Sequence, residues 1–410
     1  MTLKIIHTAD WHLGQTFLQK SRIEEHQYFI DWLLETIQKQ DIDAIIVAGD
    51  IFDVSNPSVE AINKYHYFLL EAYKLNVQVI IIGGNHDSAS RLNSYKDIFK
   101  ILNVSIVGGE LNNVGELIPV NKRGTTNVAA IVTAIPYLRD GDIRKITEGE
   151  TIIEAQGLFT AEVKKHYDKL LELAKTQHPT LPVIGTAHLY VTGCLLSEPA
   201  EKRMHSLVGT LGQIPSTVFS DGYDYIAMGH IHKPQIIQHP NNVITKYSGS
   251  PIPLSFNERD DLKEITILTI VDNKIAHESL SIPLQRNVIR FEGTADEIIE
   301  KIKLHQPSNV LTTWAEIIIT KAVNYIEFNN KINDLCIDKN IEILNRTTKF
   351  SLYDNQSVRA EYIAGTDNNP LEDIPKIFTI RCEKKGMNEE SITEIMPLFM
   401  QILDEIKETH

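Results

Sequence analysis

Short apolar runs alternate with amphipathic segments across residues 1–282. The runs lie at 3–6, 44–47, 79–82, 183–184 and 225–228, and their brevity suits strands buried inside a sheet. Between them, apolar residues at helical spacing predict helices over 22–38, 57–75 and 161–176. Pro57 just inside a helix start, with Asn56 as its cap, marks the entry to the second of these. Strand–helix alternation of this kind predicts an α/β layered domain whose strands are covered on both faces.

The pattern shortens after Ile282-Pro283. Runs at 288–291, 315–320 and 341–344, with a helix near 296–304, predict a small α+β domain over 283–362 that has no chemical cluster of its own. The stretch AGTDNNPL at 364–371 is rich in turn formers and marks a linker over 363–372. Residues 373–410 read as a helix–loop–helix. Ile374, Ile377, Phe378 and Cys382 share one face, Gly386 is a stop, and Ser391-Ile-Thr-Glu394 resembles a capping box. A second apolar face follows, with Ile392, Ile395, Met396, Phe399, Ile402, Leu403 and Ile406, and Pro397 either kinks that helix or marks its true start. Such faces pack on their own protein or dock a partner. A terminal position after a linker favours the partner.

Five polar clusters sit just beyond the apolar runs of the first part: Asp10-Trp11-His12, Gly49-Asp50, Gly84-Asn85-His86-Asp87, His188, and Gly229-His230-Ile231-His232. In open α/β sheets, ligands bind outside the carboxyl ends of the strands, so these segments deliver their side chains to one edge. Alternate residues of an extended segment share a side, which brings Asp10 with His12 and His230 with His232. Carboxylate, amide oxygen and imidazole together suit Mn, Fe or Zn, and the lack of cysteine in the set disfavours a structural zinc site. The donors suffice for two divalent ions with one imidazole to spare. A carboxylate such as Asp50 can bridge two ions, and two-metal sites suit in-line displacement at phosphorus. Gly83 and Gly84 permit close backbone approach to a ligand.

Composition narrows the setting. The 410 residues predict two or three domains, and 42% hydrophobic residues is a globular proportion. No run approaches the roughly 18 apolar residues of a membrane span, and the N-terminus reads directly into a strand without a signal-peptide pattern. Cys194, Cys336 and Cys382 are few, odd in number and far apart, which fits a reducing cytoplasm and no disulfide framework. Cys194 reads as a small buried apolar group. A formal charge of −14 counts, weakly, against DNA binding by this chain alone, since local patches and bound cations escape the total.

The strings HTADWHLG at 7–14, AGDIFD at 48–53, GGNHDS at 83–88 followed by Arg91-Leu92, GHIHKPQ at 229–235 and YSGSP at 247–251 carry a resemblance. Their order and spacing are similar to the calcineurin-like metallophosphoesterase superfamily, in its branch of DNA double-strand-break-repair nucleases. Protein Ser/Thr phosphatases of that superfamily follow GD with Asp-Arg-Gly and end the third motif in Glu. Here Asp50 is followed by Ile-Phe-Asp-Val and the third cluster ends in Asp87, so the resemblance points away from a protein phosphatase.

The resemblance implies a four-layer sandwich, two central sheets flanked by helices, with the small domain capping the site and shaping DNA entry. Asp10, His12, Asp50 and His232 would hold one ion, and Asp50, Asn85, His188 and His230 the other, with Asp50 bridging. His86 is left over and would protonate the leaving 3′ oxygen or orient the scissile phosphate. The implied metal is Mn²⁺, with Mg²⁺, Fe²⁺ and Zn²⁺ also accepted by such ligands. The implied activity is ATP-dependent 3′–5′ double-strand exonuclease and single-strand or hairpin endonuclease, in repair, replication and recombination. The implied assembly is a homodimer of nuclease subunits within a heterotetramer, the C-terminal helices docking on the coiled coil of an ATPase.

Other residues have plainer readings. His7 on the first strand fits the core or a place behind the ligands, and Asp87 fits behind them rather than as a ligand. Arg91 fits a substrate phosphate, and Trp11 a packed aromatic at the rim of the site. Some nucleases of the wider family carry a His where this chain has Asp53, which leaves that position's role open. Two competing functions remain: a phosphoesterase acting on a small or cyclic nucleotide, and a scaffold with a vestigial site. The extra domain and helical tail argue against the first, and the complete ligand set against the second.

Overall fold

Every apolar run of the first part becomes a strand, because a chain buried on both faces must pair its backbone groups with neighbouring strands. The computed structural model describes residues 2–109, 116–144, 150–196, 213–306, 310–321, 325–349, 374–384 and 387–408. The strands begin with β1 (Thr2–Thr8), β2 (Thr16–Phe17), β3 (Lys20–Ser21), β4 (Ala44–Ala48), β5 (Gln78–Ile82) and β6 (Val104–Val107). They continue with β7 (Leu117–Asn121), β8 (Val128–Thr133), β9 (Val183–His188), β10 (Tyr225–Gly229), β11 (Gln235–Ile237) and β12 (Ile244–Tyr247). The last are β13 (Glu264–Val271), β14 (Lys274–Ser281), β15 (Val288–Gly293), β16 (Thr313–Ile319) and β17 (Ile341–Thr348). The helices are α1 (Ile23–Lys39), α2 (Val59–Lys74), α3 (Ala89–Asn93), α4 (Lys96–Ile101), α5 (Asp140–Ile143) and α6 (Ile152–Gln177). They end with α7 (Ala295–Leu304), α8 (Tyr325–Asp338), α9 (Ile374–Lys384) and α10 (Glu389–Glu408).

Two six-stranded sheets form, in the orders β14-β13-β1-β4-β5-β6 and β11-β12-β10-β9-β8-β7. In the first, β1, β4, β5 and β6 run parallel; in the second, β8, β9, β10 and β12 do. Inward side chains of both sheets share one apolar layer, with Ile46, Ile80 and Ile82 from the first and Val132, Ile184 and Ala227 from the second. The outer face of the first sheet is covered by α1 and α2, and that of the second by α6. This is the expected four-layer α/β sandwich. Trp11 lies fully buried under α1 and α2, edge-on to Phe29 and Phe68, with its indole N–H donated to Thr8. It is a core residue rather than one at the rim of the site.

Some local expectations differ from the structure. Helix α2 is capped by Ser58, whose hydroxyl accepts from Ala61 N, so Asn56 is not the cap and Pro57 lies outside the helix. The third expected helix begins earlier, at a capping box of Thr151 and Glu154; Ile152, Ile153 and Leu158 are exposed, off the face of Ala155 and Phe159, and mask the periodicity there. In the C-terminal hairpin Asn388, not Ser391, accepts from the first-turn N–H, and Pro397 lies inside α10. Phe378 of α9 stacks on Phe399 of α10, with ring centroids 3.9 Å apart. Gly386 and the 363–372 linker lie outside the described residues.

By internal contact the chain forms two units. The first comprises Met1–Arg290, Ile302–Glu316 and Asn333–Asn345; the second comprises Phe291–Lys301, Ile317–Ile332 and the chain from Arg346 on. A separate three-stranded sheet has the order β15-β16-β17. Every residue of the candidate site belongs to the first unit. No helix among the described residues is long and apolar enough to cross a membrane.

Candidate metal centre

The five clusters converge because β1, β4, β5, β9 and β10 are parallel within their sheets and end at the same edge. The turns that follow are tight. Asp10, His12, Asp50 and His230 all have positive φ, at 51°, 47°, 48° and 93°. For side-chain-bearing residues this conformation is uncommon and costs of order 1–3 kcal/mol each, and it tends to concentrate at functional sites. The first two loops are laced together: Asp10 N donates to Gly49 O and His12 N to Asp50 O, both at 3.0 Å.

Asp50 lies at the centre. Its Oδ2 is 3.1 Å from His188 Nε2 and 3.6 Å from His12 Nε2, and its Oδ1 accepts from His86 N at 2.9 Å. Asn85 Oδ1 lies 3.0 Å from His188 Nε2 and 2.8 Å from His230 Nδ1. Asp10 Oδ1 accepts from His230 N at 2.8 Å. Among the described residues two groups of atoms able to hold a metal ion therefore form, His12 with Asp50 and His86, and Asp50 with His188 and His230, each drawn within 4.8 Å. His232 joins the first set through its ring, 5.1 Å from that of His12.

Charge follows this packing. Burial alone would push the Asp50 carboxyl up; His188, His12 and His86 outweigh it and hold Asp50 well below the usual carboxylate range. Burial would likewise depress His188, but Asp50 and Asp10 raise it to about 9. Asp10 is raised, by burial first, against the pull of His188 and His232. His188 Nε2 is the ring atom that faces Asp50 Oδ2 and Asn85 Oδ1 and would meet an ion in the second set.

The residues fit metal ions. Asp10 Oδ2 and His12 Nε2 are buried and accept or donate no hydrogen bond within the protein. Orphaned buried polar atoms are costly, by about 1–3 kcal/mol each, and a cation satisfies both. The donors are two carboxylates, an amide oxygen and imidazoles, a set suited to a hard or borderline divalent ion.

The surrounding residues separate by role. Asp87 accepts from Ile51 N, Phe52 N and Gly84 N, so it ties the Asp50 turn to the Asn85 turn and offers nothing to an ion. Its pKa is raised to about 6 by burial and by Asp50, against those backbone bonds. His7 is buried between the sheets, bonded to Tyr225 Oη and Met228 O, and is a core residue. Its pKa is lowered to about 3, by burial and then Lys246. Arg91 is exposed and donates to Asn56. His86 is part-exposed, with Nδ1 2.6 Å from Asp53 O. The pattern of clusters did not signal Glu258, a buried carboxylate 3.0 Å from His232 Nδ1 and far outside any of them.

Glycines permit the close approach. A Cβ on Gly84 would overlap Asp50 Oδ1 and N, and one on Gly49, at φ 91°, would overlap the His188 ring. Gly84→Ala is expected to lower stability by about 1–3 kcal/mol through overpacking. It should also cut turnover by about 10²-fold by displacing Asp50. Thermal unfolding and cleavage rates of the purified variant check both numbers; unchanged turnover would show that Asp50 tolerates displacement.

Residues 3–234 match the family model described as calcineurin-like phosphoesterase. The chain is 32% identical over 416 residues to SbcD of the nuclease SbcCD from Escherichia coli (strain K12), covering 100% of both chains. It is 34% identical over 305 residues to SbcD from Rhodobacter capsulatus, covering 72% of this chain and 73% of that one. With SbcD from Staphylococcus epidermidis, identity is 29% over 318 residues, covering 75% of this chain and 77% of that one.

Proposed function

Because the chain belongs to the calcineurin-like phosphoesterase family, together with the SbcD proteins of SbcCD nucleases, we propose that it is the Mn²⁺-dependent nuclease subunit of an SbcCD-like complex. The observation that carries this reading is the pair of ligand sets sharing Asp50, beside two orphaned buried ligand atoms. Asp10, His12, Asp50 and His232 would hold one ion, and Asp50, Asn85, His188 and His230 the other. When bound, the two ions neutralise phosphate charge and acidify water. The chain's own part is positional and protonic. The laced loops fix the ligands before substrate arrives, so little reorganisation is needed at the moment of reaction. A carbonyl oxygen only accepts, so His86 Nδ1 donates to Asp53 O; the general acid would be the imidazolium, which gives its Nε2 proton to the leaving 3′ oxygen and returns to the neutral Nδ1–H tautomer.

The substrate is DNA, cut from duplex ends in the 3′–5′ direction and at hairpins, with ATP-dependent help from an SbcC-like ATPase. In this reading residues 1–282 form the nuclease core, 283–362 shape DNA entry, and 373–410 dock on the partner's coiled coil after the 363–372 linker. Two such nuclease subunits pair within a heterotetramer in the cytoplasm. The formal charge of −14 fits a division in which the partner supplies much of the DNA-binding surface.

Incubation with a DNA hairpin, linear duplex and a cyclic nucleotide, with and without the ATPase partner, tests the proposal. Hairpin cleavage in Mn²⁺ is expected from the chain, with duplex digestion appearing when partner and ATP are added. Hydrolysis of the cyclic nucleotide with both DNAs left intact would replace a nuclease by a small-molecule phosphoesterase.

A further inference from the structure

Two carboxylates outside the ligand set each meet the Nδ1 atom of a histidine assigned to the first ion. Asp53 Oδ1 is 3.1 Å from His12 Nδ1, and Glu258 Oε1 is 3.0 Å from His232 Nδ1. An ionised carboxylate oxygen only accepts, so each contact requires the proton on Nδ1 and turns the Nε2 lone pair toward the ion. His12 Nε2 is the buried atom that lacks a partner within the protein. The rings of His12 and His232 meet edge to face, so the orientation of one constrains the other.

Both carboxylates are themselves held. Glu258 is fully buried, and its Oε2 accepts from Lys263 Nζ at 2.6 Å, Leu254 N at 3.1 Å and Ser250 Oγ at 3.2 Å. Three donors on one oxygen leave the other for His232. Lys263 Nζ also donates to His232 O, gripping the same residue at its backbone. Asp53 is anchored by its own N–H, donated to Leu13 O, and its carbonyl accepts from His86 Nδ1. The second set is oriented differently: His188 Nδ1 meets a backbone carbonyl, Ala48 O, at 2.9 Å, and His230 turns Nδ1 itself toward Asn85. The two carboxylates therefore serve one ion and not the other.

We infer that Asp53 and Glu258 are positioning residues that fix the tautomer and orientation of His12 and His232 and so set the affinity of the first ion selectively. The inference rests on the two-ion reading above. It also assigns a role to Asp53, which the sequence left open: it acts through His12.

Mn²⁺ titration of the chelator-stripped full-length chain, by calorimetry with the bound metal counted, tests it. Wild type should bind two ions. Asp53→Ala should weaken one of them by about 10- to 100-fold, the usual cost of losing such a partner, with the other unchanged. Asp53→Asn, which keeps an acceptor oxygen, should recover part of the loss. The Asp53 side chain is 30% exposed, so folding is not at stake in these variants. Glu258→Gln should weaken the same ion, and Glu258→Gln with Lys263→Met, which removes both members of the buried pair, should do likewise. Two wild-type affinities in Asp53→Ala and in the double variant would overturn the inference while leaving the two-ion reading intact. Equal weakening of both ions together with a lowered Tm would also overturn it, as a general structural role. A wild-type chain that binds no Mn²⁺ overturns both the inference and the reading beneath it.

Discussion

Asp50→Asn is expected to reduce DNA cleavage by more than about 10³-fold. Asp50 is the carboxylate common to both ligand sets, with Oδ2 beside His188 and His12 and Oδ1 on the His86 backbone. Metal ions supply several kcal/mol of transition-state stabilisation at a phosphoryl group, and each 1.36 kcal/mol is tenfold in rate. The change to Asn is nearly isosteric, so it removes charge and one acceptor without a packing defect. Single-turnover cleavage of a hairpin in Mn²⁺, with metal content measured on the same sample, should show both quantities falling. A variant that kept a tenth of the wild-type rate would show that Asp50 does not bridge.

His86→Ala is the second large effect and has a different signature. Loss of a general acid costs about 10²–10⁴-fold in turnover. Metal content should stay at two, because the assigned ligands remain, and substrate affinity should change little. The geometry makes this test sharp: a ring nitrogen of His86 lies close enough to His12 and Asp50 to serve as a donor. Loss of one ion in His86→Ala would make His86 a ligand and remove it as the acid. Full activity would remove it from the mechanism altogether.

The core of the site was legible in the sequence for a geometric reason. Each cluster follows a short apolar run, and parallel strands deliver whatever follows them to a common edge, so local spacing alone announces convergence of residues as distant as Asp10 and His230. Residues that act across long separations were not legible. Glu258 reaches His232 from the 3₁₀ turn Phe256–Glu258 after β12, and nothing in the intervening residues has a period or motif that says so. Asp53 stood in a recognised string, but its bond to His12 depends on the lacing of two loops through backbone groups. Asp87, expected behind the ligands, accepts from three backbone N–H groups, those of Ile51, Phe52 and Gly84.

The layered α/β architecture was equally clear, because strands covered on both faces need uninterrupted apolar runs. Helix ends were less so. Ser58 and Asn388 each compete with a neighbouring residue of similar capping chemistry, Asn56 and Ser391, and propensity does not separate them; the backbone geometry does. Trp11 lay between two polar candidate residues and read as a residue at the rim, yet the positive φ at Asp10 and His12 turns it back into the core under α1 and α2.

The central claim is that Asp50 would be a ligand to two ions and that DNA is cut at this site only when both are bound. Stoichiometric Mn²⁺ titration of the metal-free chain, following bound metal and hairpin cleavage in the same samples, tests it most directly. Two equivalents should bind, and cleavage should rise steeply only as the second is taken up. Full cleavage in the metal-free chain, or full cleavage with one equivalent bound, would contradict the claim.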